Sequence, residues 1–116
     1  MTALSKFFKR SEFACKCNCG YDTIDAELLQ VLTDLREHFG KIVLISSGAR
    51  CESHNKMIGG SSKSKHLLGK ASDIVVRGYE PHEVATYLRA KYPDTYGIGE
   101  YDTFCHVDVR STKARF

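Results

Sequence analysis

The segment Ser64-Lys65-His66-Leu67-Leu68-Gly69-Lys70-Ala71-Ser72-Asp73 sets a histidine and an acid seven residues apart, and a second histidine stands far downstream at His106. Seven residues is too long for two side chains to be adjacent on a helix face, where neighbours stand three or four apart. The spacing suits a loop that delivers His66, a tight turn, and a strand that delivers Asp73. Gly69 can supply the turn. Ala71-Ser72-Asp73-Ile74-Val75-Val76 is small and then β-branched, as a strand entering a core is. A buried strand carrying one acid must give that acid a partner. Two imidazoles and one carboxylate form the three-residue donor set of a catalytic zinc, whose fourth position is left to water. A structural zinc needs a fourth protein ligand, and this stretch offers none. On pattern alone a plainer account stands beside this one: Asp73 caps a turn or pairs with a lysine, and His66 lies at the surface.

The chain is long enough for one domain with one core and too short for two, so residues 1–116 are read as a single domain with residues 1–20 as an extended arm. Charged residues make up 27% and the net charge is +3. That balance favours an anionic partner such as a bacterial wall, and it falls short of the basic density of a nucleic-acid binder. No apolar run approaches a membrane span. Residues 1–10, Met1-Thr2-Ala3-Leu4-Ser5-Lys6-Phe7-Phe8-Lys9-Arg10, lack the apolar stretch of a secretory signal. The expectation is therefore cytoplasmic synthesis, with export, if it happens, by another route or on lysis; a monomer is expected.

The 5 cysteines are odd in number. Cys15, Cys17 and Cys19 form a C-x-C-x-C run, which an extended segment would present on one side. This is not the C-x2-C knuckle of a zinc ribbon. Buried thiols or a disulfide to Cys51 are expected ahead of a second metal site.

Along the chain, Phe7, Phe8 and Phe13 are expected in the core. Leu28, Leu32, Leu35 and Phe39 recur at helical spacing, with Thr23 or Asp25 to cap the helix and Gly40 to end it. Lys41 to Ser46 reads as a buried strand. It runs into Ser47-Gly48-Ala49-Arg50, where the arginine's planar fork is placed to project into a cleft and meet a carboxylate; a surface salt bridge is the plainer alternative. A short helix is expected from Cys51 to Ile58, and a flexible loop over residues 59–63. Pro81 opens another helix, with Val84, Leu88 and Tyr92 on its apolar face. His38 and His82 are read as bystanders, and His54 as a weak candidate near Arg50. Tyr96 to Arg110 reads as a β-hairpin. In its second half Cys105, Val107 and Val109 face one side, and Phe104, His106 and Asp108 the other.

With these residues in place, the chain resembles the zinc D-Ala-D-Ala carboxypeptidases, and more specifically the small branch of that family found in bacteriophages and bacteria. Four pieces carry the resemblance, in the family's order. They are Ser11-Glu12-Phe13-Ala14-Cys15-Lys16-Cys17, Ser46-Ser47-Gly48-Ala49-Arg50-Cys51, the His66-to-Asp73 stretch, and Phe104-Cys105-His106-Val107-Asp108-Val109-Arg110. The fold it implies is α+β, with helices packed on an antiparallel sheet that carries the metal, as in the Hedgehog signalling domain. Carried over, the resemblance makes His66, Asp73 and His106 the zinc ligands. Arg50 would grip a substrate carboxylate or backbone, and Ser64 would sit at the rim. It implies a peptidase acting on stem peptides or cross-links of peptidoglycan, as a phage lysin, a virion-associated enzyme or a wall-remodelling enzyme. Many members carry Glu or Asp three residues before the last zinc histidine, and here that position is Thr103. Asp108 is the favoured general base because it shares a strand face with His106, with Glu100 and Asp102 as alternatives and a role orienting a metal ligand also open. The Thr103 departure keeps a non-catalytic binding module of the same fold in play. A cysteine-based redox or storage protein would rest on C-x-C-x-C alone.

Overall fold

Helix α1 (Ala26–Phe39) forms where the leucine spacing places it. The Asp25 carboxylate caps it, accepting the amides of Glu27 at 2.8 Å and Leu28 at 3.4 Å. Gly40 ends it at a φ of 64°, a left-handed turn that glycine adopts without strain. Leu28, Leu32 and Leu35 are fully buried, each contributing about 1.5–3 kcal/mol. The structure is a computed structural model and describes residues 5–116; the start of the expected arm, residues 1–4, lies outside the described residues.

Helix α2 (Glu52–Met57) is the short helix expected after Arg50, and α3 (Pro81–Lys91) has Pro81 in its first turn. Val84, Ala85 and Leu88 of α3 enter the core. The five strands are β1 (Val43–Ser47), β2 (Ala71–Val76), β3 (Gly97–Glu100), β4 (Cys105–Asp108) and β5 (Ala114–Arg115). Their order across the sheet is β1-β2-β4-β3-β5. The architecture is the expected α+β one, with α1 and α3 packed on the sheet.

Three local expectations are corrected. The strand after α1 is half-buried: Val43 and Ile45 point inward, while Leu44 is 46% exposed. It is an edge strand, so β-branched content reports a strand but not how many of its faces are covered. The sheet is antiparallel except at β5, which pairs parallel with β3. β5 has two residues and no period of its own, and is held by Ala114 N–H to Tyr96 O at 2.9 Å and Phe116 N–H to Ile98 O at 3.0 Å. The arm is not simply extended, because Arg10–Phe13 form a 3-10 turn. Glu12 closes that turn by accepting the Lys9 amide at 2.7 Å. The turn drives Phe13 into the core beside Phe8, their ring centroids 5.8 Å apart, while Phe7 is only partly buried.

Candidate metal centre

The hairpin and β2 build the site from cross-strand neighbours. Asp73 of β2 lies opposite His106 of β4, and on its other side opposite Ser47 of β1. Gly99 and Gly97 of β3 stand opposite His106 and Asp108. Residues paired across an antiparallel sheet share a face, so the acid and the second histidine are neighbours although 33 residues separate them. Cys105 and Val107 point into the core, as alternation predicts.

His66 reaches the same point from a 3-10 turn, Lys65–Leu68. Ser64 caps the turn with its Oγ, which accepts the His66 amide at 3.2 Å, and Gly69 ends it at a φ of 67°. Ser64 lines the cleft as expected, but shaping this turn is a task that sequence reasoning did not assign to it. His66 Nδ1 lies 2.7 Å from the carbonyl of Gly48. A carbonyl only accepts, so Nδ1 carries the proton and Nε2 presents a lone pair. That Nε2 is buried without a hydrogen-bond partner and sits 3.3 Å from Asp73 Oδ1.

His106 is held from both ring edges. Its Nδ1 is 2.9 Å from Asp73 Oδ1, and its Nε2 is 2.8 Å from Asp108 Oδ2. A neutral imidazole has one proton for these two contacts. Given to Asp108, that proton leaves Nδ1 bare, so three lone pairs converge: His66 Nε2, Asp73 Oδ1 and His106 Nδ1. One ligand atom from each of the three lies within 4.8 Å of the others. Such a cluster needs a cation at its centre or an extra proton on His106. Burial pushes the His106 pKa down, but the carboxylates of Asp108 and Asp73 outweigh it and raise the pKa above the usual value. Burial likewise opposes ionisation of Asp73, and the His106 and His66 rings overcome it, holding its carboxyl well below the usual carboxylate range. The orphaned His66 Nε2 is the observation that fits a metal ion, since a protonated His106 does nothing for it. Two nitrogens and an oxygen are donors that suit zinc.

The geometry tells against the favoured general base. Asp108 is 0% exposed, and its carboxylate receives Arg110 Nε at 2.7 Å and Nη2 at 2.8 Å, besides His106. Burial would raise its pKa, but His106 and Arg110 together hold it far below the carboxylate range. It stands behind His106, at the ring nitrogen that faces away from Asp73, and does not line the cleft. It instead orients the imidazole and fixes its tautomer, as carboxylates behind metal-bound histidines do. A strand period shows which face Asp108 is on, but not which ring nitrogen it meets. The alternatives fare no better: Glu100 pairs with Arg89 at 3.1 Å on the outer side, and neither it nor Asp102 lines the cleft.

Asp108→Asn is accordingly expected to weaken metal binding by about 10–100-fold. Titration of zinc against a chromophoric chelator measures it; loss of a base would instead lower turnover at full zinc content. Gly97→Ala should act in the same direction, because a Cβ at Gly97 would fall on the Asp108 carboxylate.

Arg50 lines the cleft as expected, but it is anchored by contacts that the sequence did not show. Its Nε donates to Ser47 Oγ at 3.3 Å, one terminal nitrogen to Asn55 Oδ1 at 3.2 Å, and the other to Asp73 Oδ2 at 3.4 Å. Those contacts occupy three of the five N–H groups of a guanidinium, leaving two for a ligand. The cleft holds about 470 Å³. Arg50, Lys63, Lys65 and Arg110 make its lining basic, and Tyr101, Phe104 and Phe116 give it an aromatic wall. Asp73 is the one carboxylate among the lining residues. His38 and His82 are exposed, and His54 does not line this cleft.

The sequence profile of the Peptidase M15 family matches residues 6–108, nearly the whole chain. The chain belongs to the Peptidase M15 family. Its membership bears out the resemblance to zinc D-Ala-D-Ala carboxypeptidases, and family M15 is zinc-dependent in general. Among curated proteins no sequence matches the chain. Membership of family M15 points to a peptidase with a peptide substrate. Among the described residues, no helix is long and apolar enough to cross a membrane.

Proposed function

We propose that this M15 chain is a zinc peptidase that hydrolyses peptide bonds in the stem peptides or cross-links of peptidoglycan. The observation that carries the reading is the buried, unpartnered Nε2 of His66 aimed at Asp73 and His106. His66, Asp73 and His106 would hold the zinc. When bound, zinc supplies a Lewis acid that polarises a peptide carbonyl and activates water. The protein's own residues do the rest. Gly48 and Asp108 fix the tautomers of the two histidines, so that the correct nitrogens face the ion. Arg50 turns its remaining N–H groups to a carboxylate or carbonyl of the substrate. Stem peptides are rich in carboxylates, and the basic lining suits them. The aromatic wall of Tyr101 and Phe104, stacked at 4.7 Å, covers the other side of the bound peptide. The place of action is the bacterial wall, in the role of a phage lysin, a virion-associated enzyme or a wall-remodelling enzyme, and the working form is a monomer.

One observation favours a second reading. No carboxylate besides Asp73 lines the cleft, so a dedicated general base is missing among the described residues. A binding module that holds zinc and wall peptides without cutting them would look the same. Digestion of purified walls separates the two. With zinc, mass spectrometry should show released peptides with new termini, and a chelator should suppress them until zinc is restored. Wall peptides that bind but stay intact under every condition would establish the module and end the peptidase reading. The masses also report which bond is cut.

A further inference from the structure

Four of the cysteines meet at one point outside the cleft. Cys15, Cys17 and Cys19 come from the loop after the N-terminal 3-10 turn, and Cys51 from the residue that caps α2. One sulfur from each lies within 4.8 Å of the others. The sulfurs of Cys15 and Cys17 are 3.4 Å apart, those of Cys17 and Cys51 3.6 Å, and those of Cys15 and Cys51 3.9 Å. All four are free thiols; of the two expectations, buried thiols or a disulfide to Cys51, the disulfide is not formed, and Cys15 alone of the four is buried.

The spacing discriminates between explanations. A disulfide brings two sulfurs to about 2.05 Å and leaves the others aside. A tetrahedral zinc with Zn–S bonds of about 2.3 Å sets its sulfurs about 3.8 Å apart along each edge. These three pairs lie about that value, and with all four sulfurs within 4.8 Å of one another they are too close together to enclose a multi-iron cluster. The backbone is shaped to produce this. In an extended run, cysteines two residues apart would stand about 6.6 Å from one another. Instead the loop closes on itself, with the Cys15 amide donating to Tyr21 O at 2.7 Å and the Asn18 amide to Cys15 O at 3.2 Å. Asn18 takes a φ of 65° and Gly20 one of 92°, left-handed conformations that fold the run inward. Two amides then point at sulfur: Cys51 N–H at Cys15 Sγ, 3.5 Å, and His54 N–H at Cys51 Sγ, 3.4 Å. Amide donors of this kind stabilise thiolates rather than thiols.

We propose that Cys15, Cys17, Cys19 and Cys51 hold a second zinc ion. Four cysteines leave no open position, so its role is structural. It ties the N-terminal arm to the start of α2, one residue from Arg50. The same arm carries Phe13, whose carbonyl accepts the Ala49 amide at 2.8 Å, beside the Gly48 that positions His66. This site stands independently of how the cleft is read.

Elemental analysis of protein purified from zinc-containing medium under reducing conditions tests it. Wild type should carry two zinc equivalents per chain, and the His66→Ala/His106→Ala variant one. That variant, reloaded with cobalt(II), should show strong thiolate-to-cobalt charge-transfer absorption. Cys17→Ser/Cys19→Ser should lose one equivalent and melt at lower temperature. Wild type decides even if a variant fails to fold. A single equivalent without thiolate-to-cobalt absorption after exchange, iron in place of zinc, or a mass showing a disulfide in the reduced preparation would overturn the proposal. A single equivalent with that absorption would uphold it and count against a zinc in the cleft.

Discussion

Asp73→Ala should remove the zinc of the cleft and lower peptide release from walls by about a thousandfold or more, the several kcal/mol that a Lewis acid contributes. The size follows from how many groups meet at this one carboxylate. Oδ1 faces both His106 Nδ1 at 2.9 Å and His66 Nε2 at 3.3 Å, and Oδ2 faces the Arg50 guanidinium at 3.4 Å. Alanine removes one ligand, leaves two imidazoles without the negative charge that favours a cation between them, and frees Arg50 to swing toward solvent. Zinc content and turnover should fall together. Because Asp73 is buried, a thermal melt must accompany both measurements. Asp73→Asn, which keeps the shape and loses the charge, separates a lost ligand from a lost fold. Asp73→Ala protein that keeps its zinc and its activity would end the three-ligand assignment.

Phe13→Ala should cost about 3–5 kcal/mol of stability, a large share of what a domain of this size possesses. Phe13 is 0% exposed and packs on Phe8. Its backbone is also pinned where the site is built. A Cβ at Gly48 would stand 2.7 Å from Phe13 Cα and from its carbonyl oxygen, so the arm lies directly on Gly48, and the Gly48 carbonyl holds the Nδ1 of His66. The loss should therefore appear twice: as a lower midpoint in urea, and as weaker zinc binding in the protein that remains folded. Leu28→Ala, equally buried but in α1, supplies the comparison. It should match the first effect and not the second. Equal effects on zinc from both variants would show that the arm has no special tie to His66.

The parts of the site that were legible in the chain are those whose chemistry needs rare residue types. Histidines and an acid flanked by glycine and β-branched residues announce ligands and the strand that carries one of them. Alternation likewise placed Asp108 on the face of His106. What alternation cannot give is distance, and distance turned Asp108 from a base into the group that orients His106: its carboxylate meets Nε2 at 2.8 Å, while the converging donors lie at Nδ1. Arg50 was visible as a cleft residue, but its anchors Ser47, Asn55 and Asp73 come from three different segments. The clustering of the cysteine run was hidden for a related reason. Spacing in an extended chain puts Cys15, Cys17 and Cys19 in a line, and only the left-handed residues Asn18 and Gly20 fold that line into a cluster.

The chain by itself determined the α+β class, the helix of Leu28, Leu32 and Leu35, the hairpin, and the three candidate ligands, because periodicity and residue chemistry are local properties. Tertiary structure alone decided that the Gly48 carbonyl meets Nδ1 of His66, which carboxylate stands in front of His106 and which behind it, and where the sulfur of Cys51 falls. Those depend on contacts between segments far apart in sequence, whose ångström-scale distances no residue spacing encodes.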